Sequence, residues 1–156
     1  MIRWVITKHK HNDYKYLTVL SDFCVKQLRD IEINIAYLDS SLTPLMDFFN
    51  YSKTVVTNEG LNFKRKWDRG FTIDNCSRLC CGTYRVHSIL RGISNNIVIL
   101  NDFNCCPERT QLEIANCYFP MWASNLCTTV IVTVDESKPN GKIIDDLIKQ
   151  YGCSHT

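Results

Sequence analysis

The stretch IVILNDFNCCPERTQLEIANCYF, residues 97–119, holds the residue types best able to do chemistry in this chain. A β-branched run breaks at Asn101-Asp102, two adjacent cysteines follow, and helical spacing resumes behind Pro107, a residue suited to the first helical position. Polar side chains that leave a strand at its carboxyl end face a crevice, so Asn101 and Asp102 are candidates to hydrogen-bond a ligand. Glu108 falls in the first turn of the helix, where the dipole favours a carboxylate, and this explains it structurally. Glu113, between Leu112 and Ile114, either points to solvent or reaches into a pocket as an acid.

Three further groups of residues invite the same question. His9 and His11 alternate along an extended segment and so share a side, where they meet a phosphate or base or else lie in a solvated loop. The run KRKWDRG, residues 64–70, is either a solvated basic loop or a phosphate-binding one. In the second case Lys64 and Arg69 offer charge-assisted contacts to a pyrophosphate or an RNA strand, and Trp67 a stacking face. Cys76, Cys80, Cys81, Cys105, Cys106 and His87 are the residues from which a zinc site would be built. No C-x2-C pair of the finger type occurs, and buried free cysteine behaves as a small hydrophobe, so no metal ligands are assigned.

The elements that must position these residues follow from periodicity. Residues 2–7 read as a strand, 16–28 as an amphipathic helix, 31–39 as a second strand, 42–49 as a short helix and 53–58 as a third strand. Periodicity fails over 61–74 and returns as a helix over 77–91, with Gly92 as its stop. A fourth strand over 96–100, a helix from Pro107 to about Tyr118, a fifth strand over 128–134, and a last helix between Gly141 and Gly152 complete the chain. Strands alternating with helices imply a doubly wound α/β domain, flavodoxin-like: a mostly parallel five-stranded sheet with helices on both faces. Ligands of such sheets sit outside the carboxyl ends of the strands, which points to the loops at 8–13, 58–69 and 101–106.

Composition bounds the function. A chain of 156 residues, 45% hydrophobic and 22% charged, suits one domain with one sizeable core. Eighteen Lys and Arg against sixteen Asp and Glu leave a charge of +2, too small for a general nucleic-acid or membrane binder, so nucleic acid is not an expected partner and any basic patch must be local. The N-terminus lacks the apolar stretch of a signal peptide, and no segment approaches the roughly 18 apolar residues of a membrane span. A cytoplasmic protein without membrane contact is expected. Nine cysteines, an odd count with no secretory signal, are expected to be reduced.

The segment SILRGISNNIVILNDFNCCPERTQLEIANCYF resembles the central part of TIR domains and of the related nucleoside 2-deoxyribosyltransferases: helix, strand, polar loop, then a helix carrying a glutamate. WVITKHKHNDYKYLTVLSDFCVKQL resembles the first strand, polar loop and first helix of TIR-like proteins. KHKHND stands in place of the transferases' glycine-rich first loop, and residues 31–60 carry more strand and helix than a short TIR second unit.

That resemblance implies cleavage of a nucleotide N-glycosidic bond, with NAD or a related nucleotide as substrate and no separate cofactor. Glu113 is the position matching the families' catalytic glutamate, and a carboxylate there would stabilise or capture an oxocarbenium-like carbon. Asp102 would bind ribose hydroxyls, with Asn101, His9, His11, Lys64, Trp67 and Arg69 as further substrate contacts. A homo-oligomer or TIR-type assembly is the implied partner. Two alternatives stand beside it: a non-catalytic TIR-like signalling or nucleotide-sensing module, and a zinc-stabilised cysteine-rich interaction protein.

Overall fold

Strands whose every residue is apolar must be covered on both sides, and Ile97–Leu100 is buried at all four positions. The computed structural model describes residues 4–91, 95–125 and 127–151; the strand start expected at residues 2 and 3 and the stops at Gly92 and Gly152 lie outside the described residues. In chain order the elements are β1 (Trp4–His9), α1 (Tyr16–Asp30), β2 (Asn34–Asp39), α2 (Leu42–Asn58), β3 (Phe63–Trp67), β4 (Gly70–Ile73) and β5 (Arg78–Thr83). They continue through a 3-10 segment (Tyr84–Leu90) to β6 (Ile97–Leu100), α3 (Glu108–Ser124), β7 (Thr129–Asp135) and α4 (Gly141–Tyr151).

One sheet takes all seven strands, in the order β1-β7-β6-β2-β5-β4-β3. The first five in that order are mutually parallel, and β4 and β3 run antiparallel at one edge. The α/β class and the mainly parallel core are as expected; the five-stranded sheet is not. Side chains alternate along β6 and β7. Val98, Leu100, Val130, Val132 and Val134 pack with α3, α4 and the 3-10 segment, whereas Ile97, Ile99 and Ile131 pack with α1 and α2. The carboxyl ends of β1, β7, β6, β2 and β5 therefore emerge along a single edge.

Three local readings need correction. KTVVTN, expected as a strand, is the second half of α2, because Leu45, Phe48, Phe49, Ser52 and Val56 keep a helical period and bury that face. The hydroxyls of Ser52, Thr54 and Thr57 donate to the carbonyls four residues back, so the β-branched run stays helical. Residues 61–74, expected without order, form the β3–β4 hairpin. Phe63 packs edge-on to Phe71 with centroids 5.2 Å apart, and a Cβ on Gly70 would run into the Trp67 indole, so only glycine fits there. The helix expected over 77–91 is instead strand β5 followed by the 3-10 segment; β5 lies between β2 and β4, where Leu79 and Cys81 enter the core.

Candidate functional site at the carboxyl edge of the sheet

Four strands end in polar residues at the same edge: β1 in His9, β2 in Asp39, β6 just before Asn101 and Asp102, and β7 in Asp135. Asn101 is fully buried, and both ends of its amide are hydrogen-bonded. Its Oδ1 accepts from Tyr16 Oη at 2.7 Å and Thr133 Oγ1 at 2.6 Å, and its Nδ2 donates to Asp39 Oδ2 at 2.9 Å. Tyr37 Oη also donates to Asp39 Oδ2, at 2.6 Å, and the Ser40 amide donates to Asp39 Oδ1 at 2.7 Å. Tyr84 Oη donates to the Asn101 carbonyl at 2.6 Å. Burial pushes the Asp39 carboxyl up to about 6, against the pull of Tyr37 and Asn101.

Asp102 follows with φ 50° and ψ 45°, a left-handed conformation that Asp tolerates better than most residues and that still carries strain. Its amide donates to Thr133 Oγ1 at 2.9 Å, and its carboxylate pairs with His9 Nε2. The Lys10 carbonyl, 2.9 Å from His9 Nδ1, can only accept, so Nδ1 carries a proton, and an ionised Asp102 requires one on Nε2 as well. Burial draws the imidazole down, but the Asp102 and Lys10 hydrogen bonds outweigh it and raise the pKa above 6.5. Tyr16 stacks on the ring at 4.4 Å.

Beside this network, Asp135 Oδ2 meets His11 Nδ1 at 2.7 Å, and its Oδ1 accepts from the Ser137 amide and hydroxyl at 2.9 and 2.7 Å. Burial works to raise the Asp135 carboxyl, but His11 and Ser137 hold it down at about 2.

A pH dependence follows from these directions. His9 is raised, so the stability its pair contributes is fully present below about pH 6.5 and is lost as pH rises through the higher folded value. Asp39, also raised, acts in the same sense between 3.8 and about 6. The unfolding free energy should therefore fall between pH 6 and 9, and His9→Asn should flatten the fall. Urea titrations across that range check it; an equal slope in the variant would refute the assignment to His9.

The structure brings Asn101, Asp102, His9 and His11 together, as their positions after strands suggest. Lys64, Trp67 and Arg69 belong to the β3–β4 hairpin, at the far end of the sheet from β1. Glu113 lies half-exposed on α3, 3.4 Å from Arg109 and 3.5 Å from His87. Among the described residues no three His, Cys, Asp or Glu side chains are grouped to hold a metal ion. Cys80 and Cys81 are split between neighbouring positions of a strand, Cys81 within the core. Among the described residues, no helix is long and apolar enough to cross a membrane.

Asp39, Thr133, Tyr16 and Asp135 are participants that sequence reasoning did not name. A signal was present for two of them, because Asp39 and Asp135 close apolar runs just as Asn101-Asp102 does.

No protein-family model and no curated protein matches the chain. Solved structures do. The large terminase of a thermophilic bacteriophage is similar over 85% of this chain and 34% of its own, with a TM-score of 0.62 at 14% identity. The large terminase ATPase domain of a Thermus phage is similar over 83% and 59%, with 0.61 at 10%. The bacteriophage phi-29 viral genome packaging motor assembly is similar over 99% and 48%, with 0.60 at 12%. The chain shares its fold with phage large terminase ATPase domains.

The chain spans between about a third and three fifths of those proteins' length. The finding overturns the TIR and deoxyribosyltransferase resemblance, since the similar structures are phage terminases and a genome packaging motor. The expected N-glycosidase chemistry on NAD falls with it, as does the TIR-like signalling alternative, and Glu113 loses the role that the resemblance gave it; the zinc-stabilised alternative finds no grouped ligands among the described residues.

A nucleoside triphosphate hydrolysed on such a sheet is held by a glycine-rich loop whose amides cradle the phosphates, G-x-x-x-x-G-K-[ST]. The loop between β1 and α1 reads KHNDYK, and no glycine precedes Gly60 anywhere in the chain. His9, Tyr14 and Tyr16 fill that corner instead, with His9 6.1 Å from Tyr14 by ring centroid. Asn101 has both oxygen lone pairs engaged by hydroxyls and no ligand capacity left for a cation. These residues do not fit a magnesium-bound triphosphate.

Proposed function

We propose that this chain is a packaging-ATPase-type domain that binds DNA within a larger assembly and does not hydrolyse nucleoside triphosphate at the β1–β7–β6 corner. The observation that carries the reading is the His9–Asp102–Asn101–Tyr16 network. It fills the space between the β1–α1 loop and the carboxyl end of β6 with side chains hydrogen-bonded to one another, and no glycine-rich loop lies there. DNA enters because one of the similar structures is a viral genome packaging motor, and because the chain's charge is concentrated. Between residues 64 and 78 five Lys and Arg face two acids, a local +3 in a chain of +2. The low overall charge spoke against nucleic acid; the hairpin revises that expectation. Partner copies or subunits enter because one of the similar structures is a motor assembly.

The test measures phosphate release from ATP with magnesium, and binding to a DNA duplex of about 30 base pairs as salt is raised. No release above buffer, together with duplex affinity that falls steeply with salt, is the expected result. Turnover of ATP, or no duplex binding even at low salt, would defeat the proposal.

A further inference from the structure

Away from the β1–β7–β6 corner, a cavity of about 480 Å³ opens between the ends of β2 and β5 and the start of α3. Its size suits one small organic ligand. Among its lining residues are two guanidinium groups, Arg69 from the hairpin turn and Arg85 from the 3-10 segment, and no carboxylate. Neither arginine is ion-paired among the described residues, although elsewhere Arg29 and Arg109 find acids. Hydroxyls of Ser40, Ser41, Thr83 and Thr110 complete the polar lining, and Leu42, Tyr84 and Pro107 supply an apolar wall. The Ser41 hydroxyl makes no capping bond at the start of α2, so it is free to donate elsewhere.

Two unpaired guanidiniums, four hydroxyls and an acid-free lining form a donor set for a dianion, and the apolar wall provides for an attached ring. We infer that this cavity binds a phosphate monoester of mononucleotide size, with Arg69 and Arg85 on the phosphate. Burial, and then the Cys105 thiol beside it, push the Cys106 thiol up to about 12, and Cys105 is also raised, so the two cysteines line the site as neutral groups rather than as nucleophiles. The inference does not rest on DNA binding by the hairpin: the two share Arg69, but Arg85 and the hydroxyls belong to the cavity alone, and Lys64, Arg65 and Lys66 lie outside its lining.

Isothermal titration with adenosine 5′-monophosphate, inorganic phosphate and adenosine tests it on the full chain. The monophosphate should bind at least about tenfold more tightly than adenosine, since adenosine cannot engage the arginines. Arg69→Gln with Arg85→Gln should weaken monophosphate binding at least about thirtyfold with an unchanged melting temperature, and His9→Asn should leave it unchanged. Inorganic phosphate binding as tightly as the monophosphate overturns the mononucleotide assignment. Full binding in the double arginine variant, adenosine matching the monophosphate, or no binding by the wild type overturns the site itself. Binding lost in the His9 variant but kept in the arginine variant would move the ligand to the β1–β7–β6 corner and refute the proposed cavity.

Discussion

Asn101→Ala is expected to lower the unfolding free energy by about 3–5 kcal/mol, a large part of the roughly 5–15 kcal/mol that holds an ordinary domain together. The reason is the number of groups the amide satisfies at once. Tyr16 Oη and Thr133 Oγ1 lose their acceptor, and the buried Asp39 carboxylate loses the Nδ2 donor. Each of these is desolvated already, so its missing hydrogen bond is not replaced by water without opening the core. Asn101→Asp separates charge from shape: it keeps both acceptors but sets a second carboxylate against Asp39 Oδ2. Its destabilisation should be large at neutral pH and should shrink as pH falls through about 6, where Asp39 takes up a proton. The alanine variant should show no such recovery. Urea unfolding of both variants between pH 5 and 8 decides it, and a loss below about 1 kcal/mol for alanine would mean the network is looser than its geometry.

What could be read from the sequence, and what could not, divides along physical lines. β6 and β7 were legible because central parallel strands are buried almost throughout and carry β-branched runs, and α1, α3 and α4 because they bury a single stripe. The hairpin was hidden. β3 is an edge strand with Lys64, Arg65 and Lys66 all exposed, and cations that keep an edge from pairing with other chains also erase its alternation. The second half of α2 was misread because Val55, Val56 and Thr57 favour strands, whereas the period set by Phe48, Phe49 and Ser52 decides the packing.

The site divides in the same way. A polar pair at the end of an apolar run marked Asn101 and Asp102, and applying that rule to every strand would also have found Asp39 and Asp135. Strand order was not legible at all. β1 beside β7 at the sheet edge, rather than central as in a flavodoxin-like order, follows from long-range packing that leaves no local mark. Strand, polar loop, helix is common to both orders, so the TIR-like resemblance of residues 88–119 and 4–28 matched the part of the pattern that does not discriminate.

Neutralising Lys64, Arg65 and Lys66 together to glutamine is expected to cut duplex DNA affinity by about a hundredfold or more near 0.1 M salt, and to lower the slope of log affinity on log salt by about 2 to 3. The size follows from counterion release, since each phosphate contact contributes close to one unit of slope. The mode of contact follows from the hairpin itself. Trp67 is only partly exposed, with the Arg65 and Arg78 guanidiniums over its ring at 5.9 and 5.5 Å, so it is not a free platform for an unstacked base. Backbone contact with a duplex fits better than stacking on a single strand. Folding should survive, because the three side chains are exposed and their loss removes only two cation–π contacts, about 1 kcal/mol, and the exposed Lys64 Nζ–Cys76 Sγ contact at 3.2 Å. Lys142→Gln with Lys149→Gln on α4 is the control, since α4 packs beside β1 and β7 rather than at the hairpin end of the sheet. Fluorescence anisotropy on a labelled duplex over a salt series reads both quantities. An unchanged slope in the hairpin variant, or an equal loss in the α4 control, would show that the hairpin is not where this domain holds DNA.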